Sequence, residues 1–458
     1  MCAILRRRPF YISHSLLTLL IKPFRSTNFI FLSPLKKISI FSAEQYLEGL
    51  MSEEAYESPS DSVKPEELEM KLPPRFDETL YNKGRRFFWR FCFGFGSVMI
   101  PGLVAIFSVP TILQVLVCSR RSSSKYTAFK RYISTFLHVK SWLSHDLKPG
   151  SLSWQSLYAV RSRHIKNGRA TRLKKQGTVS QRDLALTMFG TIGLGILKPD
   201  RFGIRQEEPE DWEAFNHFWK VIGYMLGMED RYNMCRKNVQ ETREVCRLIL
   251  ERVYTPCLEN VPEYFEHMAR VMMDGMWAVN GGMEAGSLMY VTKNLNDVPG
   301  YVLTEAERIV LQTKLKEKLA GKHEDTGVDA STLIEKSSLH ETAREPRLLY
   351  LRNYDRLDTA PEYKKLSYAA KYKLTLSSMM TAFYKTSVGR ILLNWYYITV
   401  LYLSEYFPYV AFFLYGIKNS YVKIFKDSPL GDIQPKTNME YNAPQPPEPW
   451  YRAILAFW

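Results

Sequence analysis

The phrase YAVRSRHIKNG places Arg161 and His164 three residues apart, hence on one face of a helix. An imidazole so placed can ligate a metal or a haem iron, or move protons near neutral pH. A guanidinium one turn away can hold an anion such as a carboxylate or a propionate. The same pair also suits a solvent-facing helix, so its meaning depends on its surroundings. His217 follows Glu213 by four residues, which lets a carboxylate orient the ring. His267 shares a face with Arg270 and Asp274 at i, i+3 and i+7, a polar stripe opposite a Met/Phe face. Both patterns equally describe solvated faces. The run Glu229, Asp230, Arg231 suits salt bridges and a helix cap better than chemistry.

Other chemistries find less support. Six cysteines with no CxxC pair exclude a disulfide framework and give no zinc or redox motif. Cys235, Cys246 and Cys257 recur every eleven residues and read as small buried hydrophobes. Pro256 and Asn260 predict a helix end near Tyr254, with Cys257 beyond it. GTIGLG, from Gly190 to Gly195, lacks the preceding strand and the glycine order of a dinucleotide turn. Hydrolase elbows and Walker loops are not apparent.

The elements that must carry these residues are helices. Phe215, Phe218, Trp219, Ile222, Met225 and Leu226 repeat with helical spacing, as do Val261, Phe265, Met268, Met272 and Met276. Convincing β-alternation is absent. The expected fold class is all-α, a multi-helix bundle enclosing a central apolar cavity, with peripheral membrane-associated helices. Residues 1–75 read as a basic targeting-like segment followed by an acidic linker, expected to be disordered. Residues 76–125 read as an apolar membrane-associated helical segment, and 126–320 as the helical domain with the candidate site. A polar linker follows at 321–346, then a C-terminal helical region with an apolar hairpin at 347–425, and a Pro-rich tail at 426–458.

Charge and hydropathy place a membrane beside this bundle. The 458 residues carry a net charge of +15, with 46% hydrophobic and 14% aromatic residues. Fifteen Lys and Arg between Arg120 and Arg182 face one acid, Asp146. They directly follow Phe91–Ser119, which holds no charge and exceeds the roughly 20 residues needed to cross a bilayer. Pro101, Pro110 and three glycines argue against a straight span, so an embedded or surface-lying hairpin, a transmembrane helix and a buried core element all stay open. Six tyrosines at 391–417 suit an interfacial hairpin or a buried helix pair. Basic residues beside such segments fit anionic headgroups, whereas stacking motifs for nucleic acid are missing, and no nucleic acid partner is expected. The expected location is an intracellular membrane, endoplasmic reticulum or mitochondrion. The acid-free first 43 residues read either as a transit peptide or as an upstream extension of a start at Met51.

The order VRSRH, NG, VSQRDLALTMFGTIGLG, FWKVIGYMLGMEDRYN resembles the family of latex-clearing (rubber) oxygenases and mpaB-type endoplasmic-reticulum oxygenases, most closely its insect-type branch. The similarity spans roughly Thr127 to Tyr301. It implies an all-helical fold around haem b, with dioxygen used on an apolar, isoprenoid- or lipid-like substrate. It further implies His164 and Arg161 on the distal side of the haem, as catalytic residues, and Thr191 beside the cofactor. At the position of the family's haem-ligating histidine this chain has Phe189, which cannot bind iron. Three outcomes stay open. His164 is the sole protein ligand, another histidine such as His217 or His267 substitutes, or this branch has lost haem and binds a hydrophobic ligand without catalysis.

Overall fold

A computed structural model describes residues 41–205, 208–279, 283–330 and 347–442. The basic residues 1–40, most of the expected 321–346 linker and the terminal WYRAILAFW lie outside the described residues. Fifteen helices cover the first two thirds. They are α1 (Ala43–Met51), α2 (Glu53–Glu57), α3 (Glu78–Arg90), α4 (Cys92–Ile106) and α5 (Pro110–Cys118). Then come α6 (Lys125–Ser144), α7 (Leu152–Leu173), α8 (Gln181–Met188), α9 (Leu194–Leu197) and α10 (Pro209–Met225). They continue with α11 (Val239–Ile249), α12 (Thr255–Glu259), α13 (Phe265–Met276), α14 (Ala285–Leu295) and α15 (Glu305–Leu319). Six more follow, α16 (Pro361–Lys364), α17 (Tyr368–Tyr384), α18 (Ser387–Tyr406), α19 (Tyr409–Tyr415), α20 (Ile417–Ser420) and α21 (Asn438–Asn442). Among the described residues the strands are one antiparallel pair, Val328–Asp329 with Leu348–Leu349. The all-α class is what the structure shows.

Local chemistry sets the helix starts around the site. Ser124 caps α6 in a reciprocal capping box with Thr127, Ser151 caps α7, and Ser180 accepts from the Asp183 amide to cap α8. Hydroxyl caps of this kind satisfy amides that otherwise lack partners and contribute about 1 kcal/mol each. Helix α8 passes into α9 through a π-helical turn, Phe189–Gly193. A second π turn, Leu250–Tyr254, joins α11 to α12. It lets the helix run past Pro256 as far as Glu259, so Cys257 lies inside it and not beyond its end. Cys235, Cys246 and Cys257 are all fully buried, as their spacing suggested.

The uncharged stretch 91–119 is a core element. Of its residues on α4, eleven are buried, among them Phe95, Val98, Met99, Val104 and Ile106, and it packs on the π turn, α14 and α18. Apolarity on every side of a helix can mean lipid or protein interior, and here protein surrounds it. Among the described residues no single helix is long and apolar enough to cross a membrane. Of the three alternatives for this stretch, α4 takes the buried core element, and no straight transmembrane helix is found among the described residues. Two bent pairs reach that length together, α3 with α4 at 88° and α18 with α19 at 44°.

Residues 42–75 also differ from the disordered linker expected there. Tyr46, Leu47 and Leu50 bury one face of α1 against α11, and the Tyr46 hydroxyl donates to the Tyr232 carbonyl at 2.7 Å. Farther on, the Ser60 amide donates to Val179 O and the Gln181 amide to Ser58 O, pinning the chain beside the start of α8. Three apolar residues of α1 and these backbone bonds together anchor a strongly acidic segment.

Candidate functional site

Helices α4, α5, α6, α7, α8 and α10 enclose a cavity of about 330 Å³. That lies within the range of small-molecule sites, about 300–1,000 Å³. Its walls are mainly apolar, with Met99, Phe107, Val115, Val139, Met188 and Ile222 representative. Polar groups enter from three helices. Arg131 and His138 come from α6, Arg163 and His164 from α7, and Asp183 and Thr187 from α8. Thr191 follows on the π turn.

His164 is the group with chemistry to spare. Its Nδ1 is buried and has no hydrogen-bond partner. Burial lowers its pKa to about 4, helped by the nearby guanidiniums of Arg131 and Arg163. The ring is therefore neutral at pH 7, the form that ligates a metal or accepts a proton. His138 has the same low value, about 4, again mostly through burial and then Arg163. Its ring is fully engaged, with Nδ1 2.7 Å from Ser156 Oγ and Nε2 3.0 Å from Arg163 Nη1. Because guanidinium only donates, Nε2 must be the unprotonated nitrogen of His138 and Nδ1 carries the proton. Asp183 accepts from Thr111 Oγ1 at 2.7 Å through Oδ1, while its buried Oδ2 lacks a partner. Burial raises its pKa, against the opposing pull of Thr111 and Arg182. Trp219 Nε1 in the same wall is also without a partner. Orphaned polar atoms are uncommon in native interiors. Three of them, His164 Nδ1, Asp183 Oδ2 and Trp219 Nε1, belong to residues of this one cavity.

Only two of the expected site residues face this cavity, His164 and Thr191. The Thr191 hydroxyl donates to Thr187 O at 2.9 Å and keeps its lone pairs. Arg161 turns the other way. Its Nε and Nη2 meet Asp61 Oδ2 at 2.7 and 2.5 Å, and Nη1 reaches Met225 O at 3.5 Å. It ties the N-terminal segment to the end of α10, where Gly227 at φ +95° lets the Ser60 carbonyl approach. The distal role expected for Arg161 is corrected, and Arg163 occupies the cavity side of α7 instead.

The substitute histidines are structural. His217 accepts from the Asp77 amide through Nε2 at 3.2 Å and stacks on Phe76, away from the cavity. Glu213 does not orient it, because both carboxylate oxygens accept from the Val239 amide. His267 is buried with Nδ1 2.8 Å from Tyr441 Oη and Nε2 2.9 Å from Ser123 O. It braces α13 against α21 and the entry to α6. Arg270 pairs with Glu266, and Asp274 with Lys125. Arg231 makes surface ion pairs with both Glu229 and Glu54, as the composition of that run suggested. Phe189 leaves the cavity wall entirely and stacks on Tyr254 with centroids 4.7 Å apart.

His138, Arg131 and Asp183 carried no spacing signal in the sequence. The end of the cavity near Asp427 was equally unreadable. There Arg163 donates to Asp427, Ile424 O and Lys426 O, and Arg121 to Ser428 O. Residues 424–428 thereby form a strap across that end.

A pH dependence follows from the two cavity histidines. Both stay neutral in the native state down to about pH 4, whereas an unfolded imidazole protonates near 6.5. Stability is thus full above pH 6.5 and falls as pH drops from 6.5 toward 4, because the unfolded chain takes up protons the folded one refuses. Each contributes about 1.4 kcal/mol per pH unit at most. Urea unfolding at pH 7 and pH 5 is expected to show this slope, reduced by about half in His138→Asn.

A solved structure of latex clearing protein in the closed state aligns with 73% of this chain and 86% of its own, at 15% identity and a TM-score of 0.38. A likeness of that degree does not establish a shared fold, and function here rests on the cavity itself. No protein-family model and no curated protein matches the chain.

Proposed function

We propose that the cavity is the active site of an oxygenase-type oxidoreductase acting on a hydrophobic, isoprenoid- or lipid-like substrate, with a b-type haem held by His164. The observation that carries this reading is the neutral, unengaged imidazole of His164 in an apolar wall. Of the two cavity histidines it alone has ring nitrogen to offer, since His138 is committed on both sides. A haem bound there supplies dioxygen activation. The chain's own groups would do the rest. Asp183, whose pKa burial raises, would be the group that exchanges a proton at Oδ2, and the Met, Phe and Val walls would exclude water and orient the substrate's hydrocarbon. Titrating the purified protein with haemin tests the reading. A sharpened, red-shifted Soret band saturating near one equivalent supports it, and a spectrum identical to free haemin removes the cofactor.

A second reading is a non-catalytic binder of a hydrophobic ligand. Phe189, packed on Tyr254 outside the cavity, favours it, because no residue of the π turn then offers iron a ligand. Ligand binding without any haem spectrum distinguishes the two.

The same reading places the protein against a membrane. Trp395, Tyr402 and Phe413 on α18 and α19 are 69%, 58% and 89% exposed, beside Ile391, Leu392 and Ile398. No charge interrupts residues 391–404, and Lys385, Arg390, Lys418 and Lys423 flank them. Exposed apolar side chains gathered on one helix pair fit a membrane or partner surface. The chain is expected to float with vesicles containing phosphatidylserine, and the double variant Trp395→Ser, Phe413→Ser to lose at least tenfold in binding. Equal flotation of both proteins would contradict this placement.

A further inference from the structure

We propose that the cavity takes a single-chain amphiphile with a carboxylate head, and that Arg131 anchors that head. This deepens the reading of the cavity as a ligand site but does not depend on haem. Arg131 lies on α6 in the cavity wall. Its Nη1 donates to Ser119 Oγ at 2.9 Å and to Ser122 Oγ at 3.4 Å. Among the described residues it forms no salt bridge, so an interior guanidinium is balanced by hydroxyls alone. Arginine cannot shed its charge, and a charge removed from water is costly unless paired. The cavity's other guanidiniums are already served. Arg163 is taken by Asp427 and two carbonyls, and Arg121 by Asp427 and Ser428 O. Asp427 is neutralised by that pairing and does not oppose an incoming anion. Asp183, the other carboxylate in the wall, is held by Thr111 and drawn to Arg182. Arg131 therefore keeps unspent donors in a planar fork, the geometry that grips a carboxylate through two bonds. Leu103, Phe107, Val115 and Val139 give the wall a mainly hydrocarbon surface for a ligand's remainder, with His164, Asp183 and Thr187 among its polar exceptions.

Isothermal titration of the full chain with decanoate and with decanol, which share a chain and differ in the head, tests this. Decanoate is expected to bind about ten- to a hundredfold more tightly, the worth of a charge-assisted pair. Arg131→Gln removes that preference and leaves decanol unchanged, while Arg131→Lys retains part of it. Equal affinities in the wild type, an equal loss of both ligands in a folded Arg131→Gln protein, or no binding of decanoate would each overturn the proposal. Should Arg131→Gln fail to fold, Arg131→Lys decides, since an unaltered decanoate-to-decanol ratio and geometry-insensitive binding would count against a bidentate anchor. If haemin binding depends on Arg131 and decanoate binding does not occur, the arginine serves the porphyrin's carboxylates, which sinks the amphiphile and leaves the haem reading intact. Decanoate bound through Arg131 with no Soret change upholds the amphiphile and removes haem.

Discussion

His164→Ala is expected to weaken haemin binding by at least a hundredfold and to abolish haem-dependent oxygen uptake, with the protein still folded. The loss is confined to chemistry because the ring's Nδ1 makes no hydrogen bond to the protein, so little else depends on it. Removing an imidazole from an apolar wall leaves space of the same shape, and added imidazole is expected to restore part of the Soret band. His138→Ala provides the contrast. That ring receives Arg163 and meets Ser156, so its removal disturbs the strap at residues 424–428 and costs stability before it costs haem. Equal haemin affinity in wild type and His164→Ala, measured by absorbance titration, would contradict the assignment.

Gly102→Val is expected to prevent folding. Helix α4 crosses the π turn so closely that a Cβ at position 102 would overlap the Gly190 carbonyl oxygen, and one at position 190 would strike the Ile106 side chain. Backbone cannot yield as a flexible side chain can. Overpacking of cores usually costs about 1–3 kcal/mol, and a backbone collision in a fixed crossing exceeds it, passing the roughly 4–5 kcal/mol that already approaches the whole stability of a marginal domain. Gly49→Ala is the control. Nothing lies near a Cβ there, and a helical Ala in place of Gly adds up to about 1 kcal/mol. Expression level and urea midpoint read out both. A Gly102→Val protein as stable as wild type would show that α4 does not sit on the π turn.

Much of this was legible in residue order, and the failures have identifiable causes. Helical spacing gave the all-α class, and His164 does face an apolar cavity, because its neighbours Ile165 and Gly168 hold that side of α7 inward. Arg161 shares the helix yet is claimed by Asp61, a hundred positions upstream, which no local pattern discloses. Thr191 reaches the cavity while Phe189 does not, since a π turn changes which residues of a helix share a face. Among the expected ligands His217 and His267 had plausible neighbours in sequence, but Glu213 and Tyr441 give those neighbours other meanings in space. The uncharged α4 read as membrane-bound because hydropathy does not distinguish lipid from protein packing.

The claim that His164 is the protein's ligand to a haem is tested most directly by resonance Raman spectroscopy of the ferrous haemin-loaded chain. An iron–imidazole stretching band is expected in the wild type, shifted by histidine labelled with nitrogen-15 and absent from His164→Ala. The same band in both proteins, or none in the wild type, would contradict it.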